Sequence, residues 1–373
     1  MYRHRSLTWT AHRIAPALAL LGALLISSAA VQPLHADELC PERYHVEVDG
    51  QRLSLPYCST VPIDQRNENI RRIVFSIHGV ATNAETYFQN MVRAAEKVPG
   101  ALDNTLIIAP QLMTAAYAAT VPIGTTDIFW RTSAERFWGG QSGSMDDHPR
   151  AVSISSFEVF DRLLADLTNP AVFPNLEIVV VAGHSGGGQF TNRYGASNQV
   201  DDLVRQRGVH IRYIVSNPST YVYLTDERVL ADSRTRDEFA VPSNDAVADC
   251  PAFDTYGSGL DGLEAWPYLE QVGIDRIRRE YGQRDVVYLK GMNDNDPEGA
   301  ALARGCAAML QGAQRLDRGI TYFNYIEHFY GPDGHRHRIA FAPQVGHDHA
   351  GMWASEPGLL HIFDYAVTLD RSR

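Results

Sequence analysis

The sequence predicts an α/β protein with a mostly parallel central sheet, helices on both faces and an inserted cap region. Three observations carry this. Ile178-Val179-Val180-Val181-Ala182 is an unbroken apolar run with four β-branched residues, which suits a strand buried on both faces of a parallel sheet. Strand-like runs alternate with stretches of helical spacing from Ile73 onward, the pattern of a sheet covered by crossover helices. Strands also recur on both sides of residues 220–283, which break the alternation. One domain over 37–373 with an insertion therefore fits better than two domains.

The N-terminus has a layout of its own. Arg3, Arg5 and Arg13 precede an apolar run from Ile14 to Ile26, and small residues follow. A basic start, an apolar middle and a small-residue exit describe a secretory signal peptide over residues 1–36. Cleavage is expected after Ala36, with Ala29 and Ala30 as alternatives. The run is short for a membrane span, and no later stretch approaches ~20 apolar residues. A secreted or periplasmic protein without a membrane span is expected. The net charge is −11. Residues 1–36 hold three Arg and no acid, so their removal makes it −14. That acidity argues against nucleic acid or an anionic membrane surface as partner.

Four cysteines follow the leader: Cys40, Cys58, Cys250 and Cys306. An even count in an exported chain implies two disulfides. Tyr44–Val48 and Arg52–Pro56 flank Asp49-Gly50, a two-residue hairpin signal. That turn pairs residues whose numbers sum to 99, which brings Cys40 and Cys58 almost opposite each other. The expected pairs are Cys40–Cys58, closing a hairpin over 37–60, and Cys250–Cys306.

Further along, Ile73–Ile77 reads as a buried strand ending in His78-Gly79-Val80, and Ala84–Val98 has helical spacing. Thr105–Ala109 is a short strand closed by Pro110. Residues 113–150 lack periodicity and hold Trp130 and Trp138; an irregular stretch this long is usually functional or a surface excursion. Ser153–Leu167 looks helical, with Ser153 or Ser155 as N-cap. Val209–Ser216 is the next strand. Residues 220–283, rich in Asp, Arg, Pro and aromatics, are read as the cap. Asp285–Leu289 resumes the strand pattern, Ala300–Gln311 looks helical, His337–Ala342 is the last strand and Leu359–Leu369 a closing helix.

The apolar run at 178–182 leads into Gly183-His184-Ser185-Gly186-Gly187, a G-x-S-x-G pattern, with helical spacing after it. Strand, Gly-flanked serine and helix together mark a nucleophile elbow. The glycines two before and two after Ser185 have a steric reason, since side chains there would collide around a strained serine. A serine hydroxyl needs a base, and the base needs an acceptor that fixes its tautomer. Such groups gather at the carboxyl ends of parallel strands. Ser185, Asp294 and His347 follow three strands in the order Ser, acid, His. The amides of Val80 and Gly186 can serve as oxyanion donors, each typically worth ~3 kcal/mol.

With HGV at 78–80, GHSGG at 183–187, the G-x-x-D turn at 291–294 and GHD at 346–348, the chain resembles the α/β-hydrolase superfamily from about Arg71 to Leu369. The resemblance implies the α/β-hydrolase fold, a Ser185–Asp294–His347 triad and hydrolysis of an ester, amide or related acyl bond. It implies no particular substrate. The elbow is not the GYSQG type of cutinases, and the HGGG form of one lipase group is absent.

Each assignment has a competitor. Asp296 rivals Asp294 as the acid, although Asp294 holds the position three residues after Gly291. Residues 293–299 have a calcium-loop look, but an EF-hand loop starting at Asp294 would need Glu at 305, which is Gly. His349, His335 and His337 rival His347, and their H-x-H pairs could bind zinc; without an H-E-x-x-H helix or paired-Cys spacing no metal is expected. His184 is read as packing at the elbow. Trp130, Trp138, Tyr87 and Phe88 are candidates to line an acyl pocket. The expectation is an exported serine hydrolase acting on a small-molecule or acyl-ester substrate without a cofactor. A secreted peptidase or amidase on the same triad is the alternative, as is a binding protein on a hydrolase fold; the intact Ser, Asp and His set argues against the last.

Overall fold

The computed structural model of the protein describes residues 39–366. The expected signal peptide, residues 1–36, lies outside them. Strands β1 (Glu42–Val48) and β2 (Gln51–Ser59) form a hairpin. Asp49 and Gly50 both take left-handed backbone, with φ 47° and 74°, as a two-residue turn of this kind requires. The register runs from Glu42↔Tyr57 to Val48↔Gln51, and the Cys40–Cys58 disulfide ties its open end.

Six further strands complete the sheet: β3 (Arg72–Ile77), β4 (Thr105–Pro110), β5 (Ile178–His184), β6 (His210–Ser216), β7 (Asp285–Gly291) and β8 (Arg338–Ala342). Their spatial order is β1-β2-β4-β3-β5-β6-β7-β8. The pairs β1–β2 and β2–β4 are antiparallel, and the rest are parallel. Every residue of β4, β5 and β7 is buried, which explains why these segments read as continuous apolar runs.

The helices that bear on the site are α1 (Ala84–Ala95), α2 (Ser133–Phe137), α3 (Ser156–Leu167), α4 (Gly186–Ser197), α5 (Ile274–Tyr281), α6 (Arg315–Tyr330), α7 (His349–Ala354) and α8 (Glu356–Phe363). Alternation along the strands divides the core between two faces. Ile73, Phe75, Val179 and Val181 pack with residues of α3, α4, α5 and α6. Val74, Val180, Ala182 and Leu289 pack with α1, α7 and α8. Phe157 and Phe160 of α3 meet Phe190 and Tyr194 of α4 at ring distances of 4.9–5.4 Å. Such pairs add ~1 kcal/mol each beyond area burial, and they fix the helix that follows Ser185.

Several elements differ from expectation. The helix expected over Ala300–Gln311 is reduced to Cys306–Met309. The residues before it follow an irregular path through Ala301, whose φ is 54°. Helix α6 was not anticipated. The closing helix expected over Leu359–Leu369 is α8, which begins earlier, at Glu356, and stops where Asp364 turns left-handed; residues 367–369 of the expected helix lie outside the described part. Of the stretch 220–283, α5 packs directly on the sheet-covering layer, where Tyr281 accepts from Asn192 Nδ2 at 2.9 Å.

Candidate active site

Ser185 follows β5 and caps α4 with φ 59° and ψ −119°, a conformation L-residues reach at a cost of about 1–3 kcal/mol. Its amide donates to Ser216 O at 3.0 Å, and its carbonyl accepts from Gln189 N at 3.0 Å. The flanking glycines are required by contact distances. A Cβ on Gly183 would lie 2.0 Å from Gly187 O, and one on Gly187 would lie 2.1 Å from Ile77 O. Gly188 faces Ser216 O in the same way, at 2.5 Å. The hydroxyl is thereby held at the carboxyl edge of the sheet.

The loops after β7 and β8 meet at that edge. Asn217, itself at φ 44°, accepts from Gly291 N at 3.0 Å through its side chain. Asn293 N donates to Val345 O at 2.9 Å, joining the two loops. In consequence His347 Nε2 lies 3.0 Å from Ser185 Oγ, and His347 Nδ1 lies 2.7 Å from Asp294 Oδ2. An ionised carboxylate can only accept, so the imidazole proton sits on Nδ1 and Nε2 accepts from the serine hydroxyl. The Asp294 side chain is 4% exposed and the His347 ring 28%. Asp294 is thus shielded, while His347 remains partly open.

The rival residues sit elsewhere. Asp296 is exposed and accepts from Glu298 N at 2.9 Å. His337 is buried between Tyr288 Oη and Tyr281 O, and burial pushes its pKa down to about 3. His335 receives the His337 amide on Nδ1. His349 stacks on Tyr87 at 3.8 Å and bonds Asn90 Nδ2 at 2.8 Å. Among the described residues no cluster of three or more His, Cys, Asp or Glu could hold a metal ion.

Gly186 follows Ser185 in the chain, and Val80 follows Gly79 in a neighbouring loop. Gly186 opens α4, where helix amides point outward without intrahelical partners. Gly79 lies close enough that a Cβ on it would come within 3.5 Å of Ser185 Cβ, so the Gly79–Val80 loop runs beside the hydroxyl. That loop is braced from behind. Buried Arg136 donates to Val80 O, Leu112 O and Thr82 Oγ1 at 2.6–2.7 Å, and burial pushes its pKa down to about 9. His78 accepts from Leu112 N at 3.0 Å on Nε2 and sets Nδ1 against Gly79 O at 2.7 Å; burial, with Arg136 beside it, pushes its pKa down to about 3.

His184 lies behind the base, its ring 4.6 Å from that of His347. Burial, followed by the neighbouring His347, holds its pKa well below the usual histidine value. Tyr87 Oη lies 3.2 Å from His184 Nδ1 and accepts from the Gly79 amide, so at 4% exposure it is a buried prop. Trp130 is core, donating to Gly140 O at 2.9 Å, and Phe88 borders a separate cavity beside Cys58. Trp138 does line a groove with Val80 and Phe137.

Two residues absent from the sequence reading belong to the site. Arg315, at the start of α6, places Nη1 3.5 Å from Asp294 Oδ1 with both side chains almost wholly buried. Nothing in its local sequence marks it. Arg136 was findable through its helix, because Thr132-Ser133-Ala134-Glu135 is a capping-box signature and forms one.

No family model matches the chain, and no curated protein matches it. Among solved structures it is similar to a poly(3-hydroxybutyrate) depolymerase from Bordetella parapertussis, with 19% identity over 88% of this chain and 92% of that one and a TM-score of 0.56. It is also similar to poly(aspartic acid) hydrolase-1 from Sphingomonas sp. KT-1, with 20% identity over 84% and 96% and a TM-score of 0.50. With the sheet order described above, these likenesses show that the chain has the α/β-hydrolase fold.

Proposed function

We propose that this protein is an exported serine hydrolase that cleaves a carboxylic ester through an acyl-enzyme. The observation that carries the reading is the relay from Ser185 Oγ through the two nitrogens of His347 to Asp294, at 3.0 and 2.7 Å, with the serine on a strained turn at a helix N-terminus. His347 Nε2 takes the hydroxyl proton as Oγ attacks the ester carbonyl. The resulting oxyanion is held by the amides of Val80 and Gly186. As the tetrahedral centre collapses, the proton passes from Nε2 to the departing alcohol. Water, deprotonated by the same nitrogen, then releases the acid and restores Ser185. Asp294 holds the tautomer and stabilises the imidazolium.

Export is supported by the layout of residues 1–36 and by two disulfides, Cys40–Cys58 and Cys250–Cys306, bonds typical of oxidising compartments. No helix among the described residues is long and apolar enough to cross a membrane.

A fluorophosphonate probe tests the central assignment. The wild-type protein is expected to be labelled, and Ser185→Ala to take none. Equal labelling of the two, or none on either, overturns it. Parallel p-nitrophenyl esters and anilides decide the bond. Hydrolysis of anilides at rates matching the esters would favour the amidase alternative.

A further inference from the structure

A groove beside the Val80 loop and the first turn of α4 has a lining that is unusual for this protein. It is an open space of about 310 Å³ bounded by Val80, Ala134, Phe137, Trp138, Gln189 and Leu302, among others. None of its ten lining residues is charged, in a chain that is 21% charged. Cations stand behind the walls, with their terminal nitrogens turned to other partners. Arg136 is consumed by the Val80 loop, and Arg193 bonds Thr220 and Gly257 O while lying 4.9 Å from the Trp138 ring.

The walls are rigid. Trp138 is clamped from behind by Gly257, where a Cβ would approach it to 2.4 Å. Phe137 presses on Gly186 closely enough that a Cβ there would lie 2.5 Å from its ring. The opposite wall is pinned by Ala303 N donating to Ser219 Oγ at 2.7 Å and by Arg318 donating to Ala303 O at 2.9 Å. The groove joins the site through Val80 and through Gln189, which lies one helical turn after Ser185. The partners of His347 described above, Ser185, Asp294 and the His184 ring, include no groove residue. The base must reach the leaving oxygen, and the absence of groove residues among these partners favours the acyl side of the scissile bond for the groove.

We infer that this groove is the acyl subsite and that it selects an uncharged, short acyl chain. The inference rests on the reading of Ser185 as nucleophile. A pre-formed, mainly apolar groove gains from burying methylenes, whereas a terminal carboxylate or ammonium must shed water against Ser133, Gln189 and Ser219 with no counter-charge offered in return. The volume sits at the small end of ligand sites, which fits a chain of a few carbons.

The test uses p-nitrophenyl esters that differ only at the acyl end: hexanoate, the mono-ester of adipate, and 6-aminohexanoate. The wild-type kcat/KM for hexanoate is expected to exceed both charged esters by roughly 30-fold, the penalty of an unpaired, partly desolvated charge. Ala134→Lys and Ala134→Glu place opposite charges on a half-buried position of the rim. Each is expected to improve the oppositely charged ester relative to hexanoate by about 5-fold, the strength of an open ion pair, and to worsen the like-charged one. Charged esters turned over within 2-fold of hexanoate, or ratios unmoved by both variants, would overturn the assignment. Fluorophosphonate labelling separates the two levels: an unlabelled wild type removes the nucleophile, while a labelled protein with flat ratios removes only the subsite.

Discussion

At the residue scale the site depends on a few contacts with no slack. Gly183→Ala would set a methyl against the Gly187 carbonyl at 2.0 Å, and both atoms belong to backbone that carries Ser185. A loss of ~3 kcal/mol in unfolding free energy is expected, at the upper end for overpacking, with kcat lowered as well; urea titration and ester kinetics would measure both. For the acid, Asp294→Asn is expected to lower kcat roughly 10³–10⁴-fold by favouring the wrong histidine tautomer, and Asp296→Asn to leave it within 2-fold. The reverse order would transfer the role. Arg315→Gln removes the cation at Asp294 Oδ1 and also the donor to Ala300 O at 2.6 Å. Breaking one partner of a buried pair costs ~3 kcal/mol or more. The freed carboxylate should appear as a fall in kcat with KM little changed, and Arg315→Lys should restore part of it.

Among the elements, the segment from Gly291 to α6 carries Asp294, the groove wall of residues 301–303 and a disulfide. Cys306 lies three residues beyond Ala303 and is bonded to Cys250, 56 positions earlier. Replacing both cysteines with serine is expected to cost about 3 kcal/mol of stability and to weaken discrimination between hexanoate and acetate esters. Unchanged selectivity would show that Ser219 and Arg318 hold the wall without the disulfide. This segment was also the least legible from sequence. The strands were readable because burial on both faces leaves an unmistakable run, as in Ile178–Ala182, and the hairpin because Asp49-Gly50 sets its register. Ala300–Gln311 misled because alanines favour helix locally, while Ala301 takes left-handed backbone and tertiary bonds to Ser219 and Arg318 hold the chain open. Helix α6 escaped because the face it buries carries Arg315, Arg318, Gly319, Thr321, Tyr322 and Tyr325 beside a single aliphatic residue, Ile326; such a stripe gives a weak apolar periodicity. Arg315 was lost with its helix.

For the molecule as a whole, neutral buried histidines set the response to acid. His78, His184 and His337 are each at most 5% exposed. Burial is the leading cause of depression for all three, to about 3 for His78 and His337 and well below the usual value for His184. In the unfolded chain each titrates near 6.5. A pKa lowered by folding means that the unfolded state binds the extra proton, so the full stability is present above about pH 6.5 and is lost as pH falls toward the folded values. Near pH 5 His78 and His337 each contribute a slope of ~1.4 kcal/mol per pH unit, and His184 acts in the same direction. Asp285 adds to this only at lower pH. Burial would raise its pKa, but bonds from His210 and Arg212 and the nearby Arg338 charge outweigh that and hold it below the usual carboxylate range. His337 separates this effect from catalysis, because its ring bonds Tyr288 and Tyr281 and makes no contact with Ser185. His337→Gln is expected to flatten the slope between pH 6 and 4.5 by about one histidine's share, ~1.4 kcal/mol per unit, in urea unfolding followed by tryptophan fluorescence. A variant as steep as the wild type would mean that this histidine is already charged in the folded protein.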